Sequence, residues 1–431
     1  MARTVIQGTP GDDTLNGTPG DDTIFGGAGV DIMSGGARND FYYVENAGDQ
    51  VLEAVGGGRD AIFTTISYTL AAGQEIEGLV PQSRRSTDGL VLVGNEFRNG
   101  ITGTLGNDML SGGAGDDILD ARAGTDTLDG GTGDDVLRAG IGADTLNGGE
   151  GDDRLWGSND SDTMAGGAGD DIYYVIGTGT SVTEDVGGGR DTLVISRNYT
   201  LAAGLEIEVL RPAYYSDTEL ILTGNEFDNY LVGGRRNDTL VGGAGFDRLD
   251  GGGGANVLTG GAGADIYFVR STGDVVNEDV GGIIYSFIDY TLAAGLEIET
   301  LRVATNSAAG LALTGNEFDN QLIGGEGSNA LSGGGGDDRL DGGAGADTMA
   351  GGAGNDIYHV DIAGDVVNEV AGEGNDTVYA TADFALAAGA DVEVLRVLGG
   401  AGLILTGSSS NNYIIGGAGD DTLNGGDGAE C

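Results

Sequence analysis

The chain has 431 residues, a formal net charge of −50, 88 glycines, one histidine and one cysteine, and none of its 19 basic residues is a lysine. Such a negative charge excludes binding to nucleic acid through phosphate neutralisation. One cysteine excludes an internal disulfide, one histidine excludes an HExxH zinc site, and the lack of lysine excludes a phosphate-binding P-loop. No GxSxG nucleophile elbow is present, so the sequence predicts a protein that is not an enzyme.

A nine-residue period begins at the N-terminus and runs through the middle of the chain. Residues 112–120 read GGAGDDILD, and the following units repeat this form. An aspartate returns at every ninth residue, as in Asp117 and Asp126, and an apolar residue follows two places later, as in Leu119 and Leu128. Glycine at this density excludes a helix. The period therefore predicts a solenoid, in which a glycine-rich turn and a very short strand alternate.

Longer segments interrupt the nonapeptides and resemble one another. They share YTLAAGLEIE or close variants, followed by LTGNEFDN or related residues. Inside them, a degenerate nonapeptide carries Asp60, Asp191 and Asp376, but the third segment has lost its aspartate. The intervals are close to one and two coils, and Val, Ile, Tyr and Thr favour strands. The inserts are therefore interpreted as longer coils of the same solenoid.

The sequence thus predicts an all-β protein that forms one continuous β-solenoid over residues 1–431, with about 18 residues per coil. The predicted tracts of nonapeptides are 1–40, 99–171, 229–265, 320–356 and 412–431. The predicted inserts with longer coils are 41–98, 172–228, 266–319 and 357–411.

Two nonapeptides per coil bring aspartates of neighbouring coils into register. Asp117 should stack on Asp135, at the spacing of about 4.8 Å between parallel strands. Carboxylates this close repel each other unless a cation lies between them. The glycine turns add backbone carbonyls, and several hard oxygens suit calcium better than zinc or copper. Because the apolar core is narrow, bound metal should supply a large part of the folding free energy.

The repeat GGxGxD followed by an apolar residue resembles the RTX family, the repeats-in-toxin or haemolysin-type calcium-binding nonapeptides. The resemblance implies a right-handed parallel β-roll that binds several calcium ions through aspartates and loop carbonyls. It also implies secretion to the cell exterior or surface, through the type I pathway of a Gram-negative bacterium. The N-terminus has no apolar segment of a classical signal peptide, and no stretch resembles a membrane span.

Carried over residue by residue, the resemblance makes the aspartates of the repeats the expected calcium ligands. They are Asp13, Asp22, Asp31, Asp40, Asp108, Asp117, Asp126, Asp135, Asp144, Asp153, Asp162, Asp171, Asp238, Asp247, Asp265, Asp338, Asp347, Asp356 and Asp421, with Asp60, Asp191 and Asp376 in the inserts. Asparagine takes the aspartate position in several repeats, where weaker or empty sites are expected: Asn99, Asn229, Asn256, Asn320, Asn329 and Asn412.

Two functions remain open at this point. The first is a secreted calcium-binding structural protein, which folds outside the cell and associates head to tail into a filament or surface layer. The second is a non-catalytic module of a larger secreted enzyme, toxin or adhesin. A surface polysaccharide is a further candidate partner. The variable insert tips offer Arg84, Arg85, Tyr214 and Tyr215 as candidate partner-binding residues, with loop drift as the simpler explanation. Cys431 is interpreted as an incidental last residue.

Overall fold

The computed structural model describes residues 3–184, 187–213, 217–304 and 309–428. Within these ranges the regular structure consists of β-strands joined by turns and bends, and it contains no helix. The chain divides into two compact units, Met1–Arg197 with Gly204–Ala213, and Asn198–Ala203 with Tyr214–Cys431. Each unit is a β-solenoid of parallel strands, so the predicted fold class is confirmed. The single uninterrupted solenoid over the whole chain stays a prediction.

In the first unit, the strands form two faces, and consecutive strands alternate between these faces as far as Thr192–Ile195. The first face contains Thr4–Gln7, Asp22–Phe25, Phe41–Val44, Ala61–Thr64, Gly78–Pro81, Gly100–Thr102, Ile118–Asp120, Val136–Arg138, Arg154–Trp156, Ile172–Val175, Thr192–Ile195 and Val209–Pro212. The second face is split into a three-stranded and a seven-stranded sheet. Their strands are Thr14–Asn16, Ile32–Ser34 and Gln50–Val51, then Tyr68–Thr69, Val91–Val93, Met109–Ala114, Thr127–Thr132, Thr145–Glu150, Thr163–Ala168 and Ser181–Thr183.

The second unit repeats this arrangement. Its first face contains Tyr230–Val232, Arg248–Asp250, Asp265–Val269, Gly282–Ser286, Thr300–Val303, Gln321–Ile323, Arg339–Asp341, Ile357–Val360, Thr377–Ala380, Val394–Val397 and Tyr413–Ile415. The other face is divided into sheets of five, five and three strands. Their strands are Tyr199–Thr200, Ile221–Thr223, Thr239–Ala244, Val257–Ala262 and Val275–Asn277; Tyr290–Thr291, Ala312–Thr314, Ala330–Gly335, Thr348–Ala353 and Val366–Val367; and Phe384–Ala385, Ile404–Thr406 and Thr422–Asn424.

The register follows the sequence period. In the nonapeptide tracts, residues 18 apart face each other in parallel strands, as Ile118 does with Val136. In the first insert, Phe41 pairs with Ala61, and Ala61 pairs with Gly78. The corresponding intervals between stacked acidic residues are 20 and 17 residues. The inserts therefore continue the parallel register with coils of unequal length: the 20-residue coil is longer than 18 residues, as the sequence predicted, but the 17-residue coil is shorter.

The core is a thin ladder of apolar side chains that lies between the two faces. Leu128 and Leu137 are 0 % exposed and Leu146 is 1 % exposed. Burial of each leucine contributes about 1.5–3 kcal/mol relative to an exposed one. In the inserts, the inward member of each aromatic pair takes the ladder position, and these tyrosines are 0 % exposed: Tyr42, Tyr173, Tyr267 and Tyr358.

Glycine in the turns is required by both backbone conformation and space. Gly131 has a φ of 110°, and a Cβ at this position would lie 2.0 Å from the carbonyl oxygen of Gly113 in the preceding coil. A side chain would therefore strain the backbone and push the coils apart. The close approach of successive turns depends on glycine here.

Replacing Gly131 by alanine should lower the free energy of unfolding by at least about 1–3 kcal/mol, because the residue combines an unfavourable φ with the overlap. The measurement is urea unfolding in saturating calcium. Gly11→Ala is the matched control, because its added Cβ has no neighbour nearer than 4.0 Å. Equal unfolding midpoints for the two variants would contradict the requirement.

Candidate metal centre

Buried aspartates form a row along each face of the solenoid. The backbone N–H of Asp117 donates to Oδ1 of Asp135 at 2.7 Å, and that of Asp135 donates to Oδ1 of Asp153 at 2.7 Å. On the other face, the N–H of Asp108 donates to Oδ1 of Asp126 in the same way, at 2.7 Å. The predicted stacking of these carboxylates is thus present, and one oxygen of each is occupied by the neighbouring coil.

The second carboxylate oxygen divides the predicted aspartates, apart from Asp191 and Asp376, into two groups. In the open group, Oδ2 is buried and has no hydrogen-bond partner among the described residues. This group comprises Asp31, Asp40, Asp60, Asp117, Asp126, Asp135, Asp144, Asp153, Asp171, Asp247, Asp265, Asp338, Asp347 and Asp356. A buried carboxylate oxygen without a partner is unfavourable, which makes each of these atoms a position where a cation would be stabilising.

In the closed group, Oδ2 accepts a backbone N–H from four residues earlier in its own turn. The N–H of Ser158, for example, lies 2.6 Å from Oδ2 of Asp162. The same contact occurs at Asp13, Asp22, Asp108, Asp238 and Asp421. These aspartates are therefore less available to a metal ion, a distinction that the sequence analysis did not make.

The open turns hold carboxylate and carbonyl oxygens against a glycine. A Cβ on Gly112 would lie 2.2 Å from Oδ2 of Asp117 and 2.6 Å from the carbonyl oxygen of Gly130. Only a hydrogen atom fits there, so oxygens of two adjacent coils converge at the turn. An oxygen-only donor set of carboxylates and carbonyls fits calcium.

Burial makes these carboxyls reluctant to ionise. Desolvation raises the pKa of Asp117 to about 7, that of Asp135 to about 6 and that of Asp153 to about 7. The backbone N–H donors lower each pKa, and neighbouring carboxylates raise it again. The charged row is thus unfavourable without a compensating cation.

The asparagines that replace aspartate have a different role at three insert boundaries. The side-chain amide of Asn99 donates to the carbonyl of Ile76 at 2.6 Å. Asn320 and Asn412 make the corresponding contact with other insert carbonyls, at 2.8 and 2.5 Å. A carboxylate has no proton to donate, so asparagine, unlike aspartate, can donate a hydrogen bond to the insert carbonyl at these positions.

The insert aspartates are joined by glutamates that the sequence analysis missed. Asp60, Asp191 and Asp376 are each 1 % exposed. Each lies in a cluster of three carboxylates whose ligand atoms are within 4.8 Å of one another: Asp40 with Glu53 and Asp60, Asp171 with Glu184 and Asp191, and Asp356 with Glu369 and Asp376. The signal was present, because glutamate follows aspartate at the same spacing in all four inserts.

The candidate partner-binding residues are only partly described. Arg84 and Arg85 are exposed, and the backbone carbonyl of Arg84 accepts a hydrogen bond from the Arg122 side chain. Tyr214, Tyr215 and Cys431 lie outside the described residues.

A family model for the RTX calcium-binding nonapeptide repeat (4 copies) matches the chain repeatedly. The matched residues are 7–42, 102–137, 138–173, 223–254, 232–267, 314–349, 323–358 and 398–429. Together they cover more than half of the chain. The chain belongs to the RTX calcium-binding repeat family. RTX repeats bind several calcium ions, so calcium is the cofactor, as the sequence predicted. A search of curated proteins gave no match.

The matched RTX segments coincide with the nonapeptide tracts and reach only the edges of the inserts. Across the described ranges, no helix has the length and apolar character needed to cross a lipid bilayer.

Calcium-free RTX protein should become more folded as the pH falls from 8 to 5. The buried carboxyls have pKa values near 6 to 7 in the fold against an ordinary 3.8, so protons bind the folded state more tightly. Their contribution to stability is complete below the ordinary value and is lost as the pH rises through 6 to 7. Circular dichroism of metal-stripped protein across this range provides the measurement.

The control separates the buried row from the general acidity of the chain. One variant changes three buried aspartates to asparagine: Asp117, Asp135 and Asp153. The matched variant changes their exposed neighbours to asparagine: Asp116, Asp134 and Asp152. The variant of the buried aspartates should fold to a similar extent at all pH values between 5 and 8, whereas the variant of the exposed aspartates should keep the pH dependence of folding. An equal loss of pH dependence in both variants would show that the effect comes from the net charge of the chain.

Proposed function

We propose that the protein is a secreted calcium-binding structural protein, which folds when it meets calcium outside the cell. The observation that carries the proposal is the set of buried Oδ2 atoms without partners, repeated along the coils. Their neutralisation would convert an unfavourable charged interior into a stabilising one. This is a structural role, and no catalytic step is assigned to the chain.

The calcium dependence follows from mass action. A ligand that binds only the folded state stabilises it by an amount that grows with the ratio of ligand concentration to Kd. Calcium sites of extracellular modules typically have Kd values of about 10⁻⁴–10⁻³ M. Cytosolic calcium would leave such sites empty, and the chain would stay loose enough for export. RTX repeats are typical of secreted proteins, and type I export from a Gram-negative bacterium is part of the proposal.

The predicted aspartates are the proposed ligands, with the open group contributing most. Each would offer its free Oδ2, beside carbonyl oxygens of the glycine turns in the same and adjacent coils. Calcium supplies the positive charge that the row lacks. The closed aspartates would contribute weaker sites because a turn amide already occupies Oδ2.

Metal removal should unfold the chain reversibly. In calcium-free buffer at pH 8, the β signal in circular dichroism should largely disappear, and titration to millimolar calcium should restore it. The reason is the cost of burying a row of charged carboxylates without cations. Magnesium at equal concentration is the control, because it dehydrates reluctantly and prefers fewer protein ligands. A β signal that is unchanged in chelator would refute calcium-driven folding.

Asp135→Asn should raise the calcium concentration needed for folding. Asparagine preserves the acceptor for the Asp117 N–H but removes the charge at the free oxygen. Asp134→Asn is the charge-matched control on an exposed neighbour, and Asp162→Asn is the burial-matched control in a closed turn. The shift should follow the order Asp135, Asp162, Asp134. Identical midpoints for all three variants would contradict the ligand assignment.

End-to-end association into a filament or surface layer is the second part of the proposal. Leu423 in the last strand is 46 % exposed, although its register partner Leu405 is 0 % exposed. Within the described residues, Thr422–Asn424 pairs on one side only, and such a parallel edge with an exposed apolar residue favours the addition of another strand.

Sedimentation velocity in calcium should show particle mass rising with protein concentration, and Leu423→Asp should reduce that rise by placing a charge on the edge. Ile141→Asp is the control, because Ile141 is an exposed apolar residue away from the terminal strands. A monomer at all concentrations in calcium would remove assembly from the proposal while leaving calcium-dependent folding intact.

The alternative function is a non-catalytic RTX module of a larger secreted enzyme, toxin or adhesin, for which a surface polysaccharide is the candidate partner. Outward aromatic side chains form stacks on the first face. The rings of Trp156 and Tyr174 are 4.5 Å apart and nearly parallel, with the Arg138 guanidinium 5.5 Å from the Trp156 ring. Because the rings cover each other, a sugar would meet mainly their edges, which favours the structural proposal. A glycan array provides the test.

A further inference from the structure

Each insert places a glutamate beneath the glycine turn of the preceding coil. Glu53 lies one coil after Gly35, and the Gly35 N–H is 3.3 Å from its Oε1. The Gly351 N–H donates in the same way to Oε1 of Glu369, at 3.0 Å. In an ordinary nonapeptide coil, the residue 18 positions after the turn glycine is another glycine. Gly130, for example, follows Gly112 in this way and presents only its backbone carbonyl oxygen. The insert therefore exchanges a neutral oxygen for a carboxylate.

The glutamate completes a buried group of three carboxylates in the first insert. Asp40, Glu53 and Asp60 are 0 %, 5 % and 1 % exposed. One oxygen from each lies within 4.8 Å of the others. Asp40 Oδ2, Glu53 Oε2 and Asp60 Oδ2 are all buried without a hydrogen-bond partner. A buried group of three carboxylates, each with one unpartnered oxygen, requires a cation more strongly than a single buried carboxylate does.

A buried tyrosine fixes the glutamate in this position. The Tyr42 hydroxyl donates to Oε1 of Glu53 and accepts the Gly35 N–H at 2.6 Å. Oε1 is thereby occupied, and Oε2 is left without a hydrogen-bond partner. Tyr173 donates to Glu184 in the second insert, and the Tyr358 hydroxyl accepts the Gly351 N–H in the fourth. A group of three carboxylates and a buried tyrosine two residues after its first aspartate thus occur together at three separate places among the described residues.

The third insert supplies a natural comparison, because Gly282 pairs with Asp265 where the other inserts have their second aspartate. Without that aspartate, Glu278 has both oxygens satisfied. Its Oε1 accepts the N–H groups of Asp279 and Val280, at 2.9 and 3.1 Å, and its Oε2 accepts the Tyr267 hydroxyl, at 2.8 Å. In the first insert, which has the second aspartate, Glu53 Oε2 has no partner. Glu369 Oε2 in the fourth insert also has no partner, so in these two inserts an unpartnered glutamate oxygen accompanies the second aspartate.

We propose that each complete group, Asp40–Glu53–Asp60, Asp171–Glu184–Asp191 and Asp356–Glu369–Asp376, is an interior calcium site, which takes one aspartate of the open group from the last nonapeptide turn and adds two carboxylates of the insert. The identity of the ion rests on the proposed function. Oxygen-only ligation selects a hard cation, and the charge of three carboxylates in a rigid buried site gives higher affinity than one aspartate with carbonyls. These sites fill first and hold each long coil against the preceding nonapeptide tract.

The experiment measures calcium bound per full-length, metal-stripped chain by equilibrium dialysis, starting from the lowest free calcium. Wild type should show a tight class of three ions per chain. The single variants Glu53→Gln, Glu184→Gln and Glu369→Gln should each retain two tight ions, and the triple variant should retain none. Glu278→Gln is the matched control and should retain all three, because its insert lacks the second aspartate.

The single variants keep the test decisive if the triple variant fails to fold. A tight class unchanged in all single variants, or reduced equally by Glu278→Gln, overturns the inference. Calcium-driven folding without a tight class overturns it and leaves the proposed function standing. A tight class that depends on the three glutamates, in a chain whose β signal ignores calcium, supports the inference and overturns the proposed function.

Discussion

The structure depends on one hydrogen bond repeated from coil to coil, in which the backbone N–H of an aspartate donates to the carboxylate of the aspartate 18 residues later. This bond fixes the register of adjacent coils, because a shift by one residue would separate donor from acceptor. It also buries the carboxylate while using only one of its oxygens. The hydrogen bond that fixes the register therefore also buries a negatively charged carboxylate, and this charge must be neutralised in the folded protein.

The glycine content and the thin core follow from that contact. Turns must approach closely for the amide to reach the carboxylate, and a side chain at Gly131 would overlap the preceding coil. The interior then has room for only a ladder of single apolar residues, such as Leu128 and Leu137. A core of this width gives limited hydrophobic stabilisation per residue, which is why ion binding is coupled so closely to folding.

Much of the fold was predictable because a strict period leaves few geometries open. The returns of Asp117 and Leu119 by nine residues indicated parallel coils, and the buried row and ladder are where the spacing placed them. The closed turns were not predictable in this way. Whether the Ser158 amide reaches Asp162 depends on turn conformation, which a nine-residue pattern leaves undetermined.

The insert glutamates were missed for a different reason. Glu53 keeps the 18-residue spacing to Gly35, so it occupies a glycine position of the nonapeptide, where no ligand is expected, and only the 20-residue interval from Asp40 to Asp60 completes its group. The role of Asn99 was hidden as well, because asparagine at an aspartate position suggests a weakened site. Its amide in fact donates to the Ile76 carbonyl, a contact that only the folded long coil creates.

The 18-residue register has a consequence for how such a gene can change. A duplication or deletion of one whole coil leaves every remaining aspartate, leucine and glycine opposite an equivalent residue. Loss of nine residues instead exchanges the two faces beyond the break. Unequal recombination between repeats can therefore add or remove whole coils. The number of coils can change under selection while the contacts within each remaining coil stay the same.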